Sequence, residues 1–199
     1  MPRPADPAKR RDLLAQVRAY LRHNGLANLS LRPLARALGT SDRMLLYYFG
    51  TKEQLVAEAL SIDERRPLLR FQDVLGAVGT PQDAAGVRRV LEEVWRRFRT
   101  PDRRAVLPLT FEVMTASMLR PERYGPLAHE ALTEWTQLLT TLFTGVGMPE
   151  ARARNEATVV VDALLGLLFA SAALGGEEHT DAAFHTLLDR LEPAWRTPR

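Results

Sequence analysis

The sequence predicts an all-α protein with a small N-terminal head and a longer helical body, about nine helices in all. Three observations support this fold class. Apolar residues recur at spacings of three and four along the chain, and no stretch alternates β-branched and polar residues as a half-buried strand would. Glycines and prolines separate these apolar runs into segments of helix length.

The first helix is predicted to run from Pro7 to Asn24, with leucines and a valine on one face and Gly25 as its end. The residues before it are predicted to form a proline-rich arm. Lys9, Arg10 and Arg11 lie in the first turn, where the helix dipole disfavours cations. They are either simply exposed or compensated by a phosphate, and we favour the second interpretation.

Two short helices are predicted next. Ser30 is predicted to cap the first of them, which ends at Gly39, where a positive φ is easy for glycine. Ser41 is predicted to cap the second, Asp42–Phe49, and its buried face is Leu45, Tyr48 and Phe49. Two short helices joined by a tight turn form a helix-turn-helix, which presents its second helix to the major groove of DNA.

The distribution of charge agrees with this motif. Residues 1–52 have a net charge of +7 and the remaining residues −4, within a total of +3. A basic segment beside an acidic one can be an ordinary solvated face, but next to a helix-turn-helix it indicates nucleic acid. We therefore expect a DNA-binding domain over residues 1–52 and a second domain over residues 53–199.

A third helix follows the motif, and Thr51 with Gln54 is predicted to form its capping box. The turn, cap, core and helix-start residues of this region are Gly39, Thr40, Ser41, Leu45, Tyr48, Phe49, Lys52, Glu53 and Leu55. Together they resemble the DNA-binding domain of the TetR family of transcriptional regulators. Leu46 departs from the pattern, because the family usually has a tyrosine there, and Tyr47 occupies a variable position.

The resemblance implies a three-helix DNA-binding head and a helical-bundle body for ligand binding and dimerisation. It implies a ligand-responsive regulator, most often a repressor, that binds a palindromic DNA operator as a homodimer. Candidate base-reading residues are Thr40, Ser41, Asp42, Arg43, Met44 and Tyr47, and candidate phosphate contacts are Ser30, Arg32, Tyr48 and Lys52. Asp42 and Arg43 could instead be an ordinary solvated pair.

Prolines divide the body into helices. The helix from Thr51 is predicted to break or kink at Pro67, as a hinge or a bend. The helices that follow are predicted over about Gln82–Arg99, Pro101–Leu119, Pro121–Thr144, Pro149–Leu174 and Asp181–Trp195, with Pro149 at the first helical position. Pro108 predicts a kink or two pieces in the second of them.

The segment Ala157–Gly176 is apolar over almost its whole length. A membrane span is one interpretation, but Asp162 lies inside it at a cost of about 2.5–3.5 kcal/mol in a bilayer centre. Small residues such as Gly166 favour close helix packing, so we interpret the segment as the core of a subunit interface, with Asp162 bonded to a partner. The resemblance implies pairing through the last two helices, about residues 149–174 and 181–195.

Aromatic and methionine side chains recur on the central helices of the body: Trp95, Phe98, Phe111, Met114, Met118 and Trp135. Core packing explains such a stripe on its own, whereas the resemblance implies a site for a small-molecule effector. Glu112, next to Phe111, could meet a cationic or hydroxylated effector or lie exposed.

The chain has no cysteine, and it contains no nucleophile–base motif, phosphate loop or zinc-binding helix motif. Asp181 and His185 lie four residues apart, but a third metal ligand is hard to name. We expect no enzyme activity, cofactor or metal, and a cytoplasmic location because the N-terminus is too polar for a signal peptide. Two alternatives remain open, a ligand- or partner-binding protein that has lost DNA binding and a small helical enzyme.

Overall fold

A computed structural model describes residues 6–26, 29–61 and 71–196, and the predicted break at Pro67 lies outside these ranges. None of the described residues lies in a strand, so the predicted all-α fold is confirmed. The helices in these ranges are α1 (Pro7–Asn24), α2 (Leu31–Ala37), α3 (Asp42–Phe49), α4 (Lys52–Ser61), α5 (Phe71–Val78), α6 (Ala84–Phe98), α7 (Pro101–Arg104), α8 (Leu107–Leu119), α9 (Pro121–Gly145), α10 (Glu150–Leu174) and α11 (Glu177–Trp195).

Several predicted boundaries are confirmed by the backbone. α1 spans the predicted residues and ends at Gly25, whose φ is 68°. The predicted pair of pieces around Pro108 is present as α7 and α8. The capping box is also present, because the Thr51 amide donates to the Gln54 side chain at 3.0 Å and the Gln54 amide donates to the Thr51 hydroxyl at 3.1 Å.

Three details of the prediction are wrong. Ser30 lies at the N-cap of α2, but its side chain makes no capping hydrogen bond, since water can satisfy amides at this exposed end. Pro149 precedes α10 instead of starting it, because its ψ of 138° is extended. α11 begins at Glu177, four residues before Asp181, because two glycines complete the turn after α10.

The chain divides by its contacts into two compact units, Met1–Glu64 with Pro108–Ala128, and Arg65–Leu107 with His129–Arg199. Most of α8 and the start of α9 therefore belong to the unit of the N-terminal helices. The functional division into residues 1–52 and 53–199 stays a prediction.

The first unit is organised around an apolar core that α1 to α4 share with residues from α8 and α9. Arg18 on α1 donates to the Ala59 carbonyl of α4 at 2.8 Å, which joins these two helices at the edge of the core. The buried residues of this core are Leu13, Leu14, Val17, Leu21, Leu29, Leu34, Ala35, Leu45, Phe49, Leu55, Val56, Ala59, Leu109 and Tyr124. Burial of leucines such as Leu34 and Leu45, both fully buried, is worth about 1.5–3 kcal/mol each.

Aromatic pairs and an indole–carboxylate hydrogen bond hold the helices of the second unit together. Trp95 on α6 stacks on Phe184 of α11 with ring centroids 4.6 Å apart, and both side chains are buried. Trp195 packs against Phe143 at 5.1 Å and donates its indole N–H to Glu156 at 3.0 Å. These contacts fix α11 against α6, α9 and α10 within this unit.

Candidate nucleic-acid interface

Helix α3 begins and ends where its sequence directs. The Ser41 hydroxyl accepts a hydrogen bond from the Met44 amide at 3.2 Å, which satisfies a free amide at the start of the helix. Gly39 before it and Gly50 after it have φ values of 63° and 76°, which side chains with a Cβ rarely adopt. Eight residues are thereby set off as a separate helix after a tight turn.

One face of α3 is buried and the opposite face is open. Leu45 and Phe49 pack into the core of the first unit, as predicted, and the third predicted core residue, Tyr48, is half-buried against it. Arg43 is exposed, Leu46 is 40% exposed and Tyr47 is 50% exposed, although two of these three side chains are large and apolar or aromatic. An exposed strip of arginine, leucine and tyrosine on a short helix suits a groove of DNA.

The other candidate base-reading residues lie at the start of α3. Ser41 is exposed, and its hydroxyl accepts the capping hydrogen bond from Met44. Thr40, Asp42 and Met44 are half-buried. The Asp42 carboxylate accepts from the Arg43 amide at 3.0 Å, within its own helix turn. The base-reading roles of these residues stay a prediction.

The candidate phosphate contacts differ in how freely they face solvent. Ser30 and Arg32 are exposed at the start of α2, whereas Tyr48 is half-buried with its ring 5.3 Å from that of Tyr47. The Lys52 ammonium donates to the Leu29 carbonyl at 3.2 Å. An ammonium has three donors, so this bond leaves capacity for a phosphate oxygen.

Arg10 contacts α3, and the sequence interpretation did not anticipate this. Its guanidinium donates to the Tyr48 carbonyl at 3.3 Å, forms an ion pair with Glu58 and lies 5.0 Å from the centre of the Phe49 ring. These partners are 38 to 48 residues away along the chain, so no local pattern could have revealed them.

Glu112 has a structural partner within the first unit. Its carboxylate accepts a hydrogen bond from the Leu26 amide at 2.7 Å, and the side chain is half-buried. This bond holds Leu26, just after the end of α1, so Glu112 does not simply lie exposed, and its suggested contact with an effector stays a prediction.

The candidate effector-binding residues are divided between the two units. In the second unit, Trp95 is buried, and Phe98 and Trp135 are half-buried with their rings stacked 5.3 Å apart. In the first unit, Phe111 and Met114 are half-buried, but Met118 is 74% exposed. Their effector-binding role stays a prediction.

A surface cleft of about 470 Å³ lies between α6 and α11 in the second unit. Arg99 forms an ion pair there with Asp181, whose carboxylate also accepts from the Trp95 indole at 2.8 Å. The carboxylate of Asp181 is thus engaged, and the described residues contain no group of three or more potential metal ligands. The charged lining of the cleft ties α11 to α6.

Among the described helices, α10 alone is long and apolar enough to cross a membrane, with a mean hydropathy of 2.1. Only 28% of its most apolar window is buried within the chain, and Val159 and Phe169 are about half exposed. Asp162 is also exposed in this chain. An interface helix of a soluble protein meets the same criteria of length and composition.

Comparison with known families gives one match at the N-terminus. Residues 13–59 match the family profile described as bacterial regulatory proteins, tetR family. This range contains most of α1 and the whole of α2 and α3, with most of α4. No match was found among proteins of curated function.

Solved structures with the same fold cover almost the whole chain. A transcriptional regulator from Rhodococcus sp. Rha1 has a TM-score of 0.73 at 21% identity and covers 97% of this chain and 100% of its own. A TetR transcription regulator from Haloarcula marismortui gives 0.73 at 18% identity, over 96% and 100%. A protein from Saccharomonospora viridis, described as a transcriptional regulator and solved with choline, gives 0.71 at 22% identity, over 98% and 100%. These likenesses establish the fold.

Proposed function

We propose that the protein is a ligand-responsive transcriptional repressor of the TetR family, because residues 13–59, which contain its helix-turn-helix, match the profile of bacterial regulatory proteins of the tetR family. It binds a palindromic DNA operator as a homodimer in the cytoplasm. The observation that carries this proposal is the exposed face of α3, where Arg43, Leu46 and Tyr47 stand on a domain of net charge +7.

The proposed complex places α3 in the major groove. Arg43 then reads guanine with its paired donors. Met44 contacts a thymine methyl group, and Thr40 contacts a base edge. Phosphates on either side are held by Arg32, by Lys52 and by the hydroxyls of Ser30 and Tyr48. Two copies of α3 about 34–36 Å apart would reach half-sites one helical turn apart.

The test is selection of duplex DNA from a random-sequence pool by the full-length protein, followed by titration over a range of salt concentrations. We expect an inverted-repeat sequence and an affinity that falls steeply with salt, because phosphate contacts release counterions. Arg43→Ala should relax the preference at one base pair of each half-site. Selection of no sequence, together with binding that does not respond to salt, would overturn the proposed function.

We propose that dimerisation uses the open face of α10 together with α11. The exposed residues of α10 that recur every three or four positions are Val159, Asp162, Gly166, Phe169 and Ala173. Light scattering should give a dimer for the wild-type chain and a monomer for Phe169→Asp, because the new charge would be buried in the interface. Gln137→Asp adds the same charge to an exposed position of α9 as a control.

An apolar or cationic small molecule is the proposed effector. The face of the Phe98–Trp135 stack can attract a quaternary ammonium group or pack against an apolar ligand. Choline is one probe to titrate, since the protein from Saccharomonospora viridis was solved with it. An effector acts only if it binds the DNA-competent and DNA-incompetent states with different affinities. A matched Trp135→Leu variant should lose the response to an effector and keep DNA binding.

A further inference from the structure

We propose that Arg10 is a positioning residue for the recognition helix, which it holds by its C-terminal end, and that it is not a phosphate contact. The inference rests on the proposed function, because it assigns a role in aiming α3 at DNA. It also revises the interpretation in which the basic first turn of α1 faces a phosphate.

The first support is the bond from the Arg10 Nε to the Tyr48 carbonyl, 3.3 Å long. The last carbonyls of a helix lack partners within it. At the end of α3 the Leu46 carbonyl accepts from Gly50 and the Phe49 carbonyl accepts from Thr51. Arg10 supplies a donor to Tyr48 between them, and its positive charge suits the negative end of the helix dipole.

The same guanidinium also contacts two other groups. It stands over the Phe49 ring at 5.0 Å from the centroid, and it forms an ion pair with Glu58 on α4. The Arg10 and Glu58 side chains are only 35% and 30% exposed. One planar group therefore joins α1, α3 and α4, and a lysine, with a single compact charge, could not reproduce this fork of donors.

Arg10 differs in exposure from its two basic neighbours in the first turn of α1. Lys9 and Arg11 are exposed, whereas Arg10 is half-buried against α3. Helix α3 has only eight residues, so a change at its C-terminal end redirects Arg43 and Tyr47 as well. A displacement of about 1 Å is enough to spoil hydrogen bonds whose distances vary by only a few tenths of an ångström.

Four proteins test the assignment: wild type, Arg10→Met, Arg10→Lys and Arg11→Met. Each is titrated against a duplex that the wild type has selected from a random pool, and against the same bases in scrambled order, over a range of salt concentrations. Arg10→Met should bind the selected duplex about tenfold more weakly. Its binding to the scrambled duplex should stay within about twofold, with an unchanged salt slope. Arg11→Met reports the loss of the same charge one residue along.

Arg10→Lys separates charge from geometry and is the deciding variant if Arg10→Met does not fold. A positioning role predicts that lysine fails to restore the ratio of selected to scrambled affinity. For each variant we also measure the melting temperature and the fraction of molecules that can bind DNA. A purely structural role would lower both quantities and leave the ratio of selected to scrambled affinity unchanged.

Two further results would overturn the assignment, besides an unchanged ratio of selected to scrambled affinity. One is a salt slope lowered by about one in Arg10→Met, with equal weakening on both duplexes and rescue by lysine, which is the signature of a phosphate contact. The other is binding by Arg10→Met that matches the wild type. Failure of the wild type itself to bind DNA would instead overturn the proposed function.

Discussion

The Leu26 amide donates a hydrogen bond to the Glu112 carboxylate at 2.7 Å, and this bond joins residues 86 positions apart in the chain. Gly25, next to Leu26, has a φ of 68°, and a Cβ at this position would lie 2.7 Å from the Glu112 Oε2. Position 25 therefore favours glycine by its backbone conformation, and an added Cβ would also displace the carboxylate that accepts from Leu26.

Gly25→Ala should lower the free energy of unfolding by about 2–3 kcal/mol, because it adds both a strained backbone and a clash with Glu112. Gly39→Ala is the matched control, since Gly39 has a φ of 63° but nothing within 4 Å of a Cβ. We expect about 1 kcal/mol for this control, measured by urea unfolding. Equal losses in the two variants would mean that Glu112 yields without cost.

Lys52→Ala should weaken binding to the selected duplex and lower the salt slope by about 0.9, because one phosphate contact is lost. Lys52→Arg keeps the charge and should retain most of the slope. The measurement is fluorescence anisotropy over a salt series. An unchanged slope in Lys52→Ala would confine this lysine to its bond with the Leu29 carbonyl, which is 3.2 Å long.

Leu46→Tyr should strengthen DNA binding about threefold, because it restores the hydroxyl that the family usually presents at this position. The side chain is 40% exposed, so a larger ring fits without disturbing the core. Tyr47→Phe removes a hydroxyl from the neighbouring position and shows whether Tyr47 already supplies that contact. Weaker binding by Leu46→Tyr would mean that the leucine itself touches the groove.

Glu93 should make the second unit sensitive to acid. Its pKa is lowered from 4.5 to about 2, chiefly by the hydrogen bond from Arg96; burial opposes this change and Arg97 adds to it. The stabilisation is complete above pH 4.5 and is lost as the pH falls towards 2, because the unfolded chain binds the proton first. We expect about 1–2 kcal/mol, since Arg96 is two-thirds exposed and water screens the pair. Glu93→Gln should remove this part of the pH dependence of thermal unfolding. If melting temperature falls with pH in parallel for the wild type and Glu93→Gln, Glu93 makes no such contribution.

Some of the site follows from local sequence alone. Three features of α3 and α4 involve residues only two to four positions apart, so they can be predicted from sequence. They are the cap at Ser41, the capping box at Thr51 and the glycines at both ends of α3. α5 was not foreseen, although Gly79, with a φ of 82°, follows its last residue, because eight residues give only about two turns of periodic signal.

The sequence by itself determined the all-α fold, the helix-turn-helix and the basic character of the N-terminal domain, because helix periodicity, caps and charge are properties of neighbouring residues. The tertiary structure alone decided that Arg10 holds α3 and that Glu112 holds the connection after α1. Both depend on side chains brought together across 38 to 86 residues, and chain folding, not local pattern, sets which groups meet over such separations.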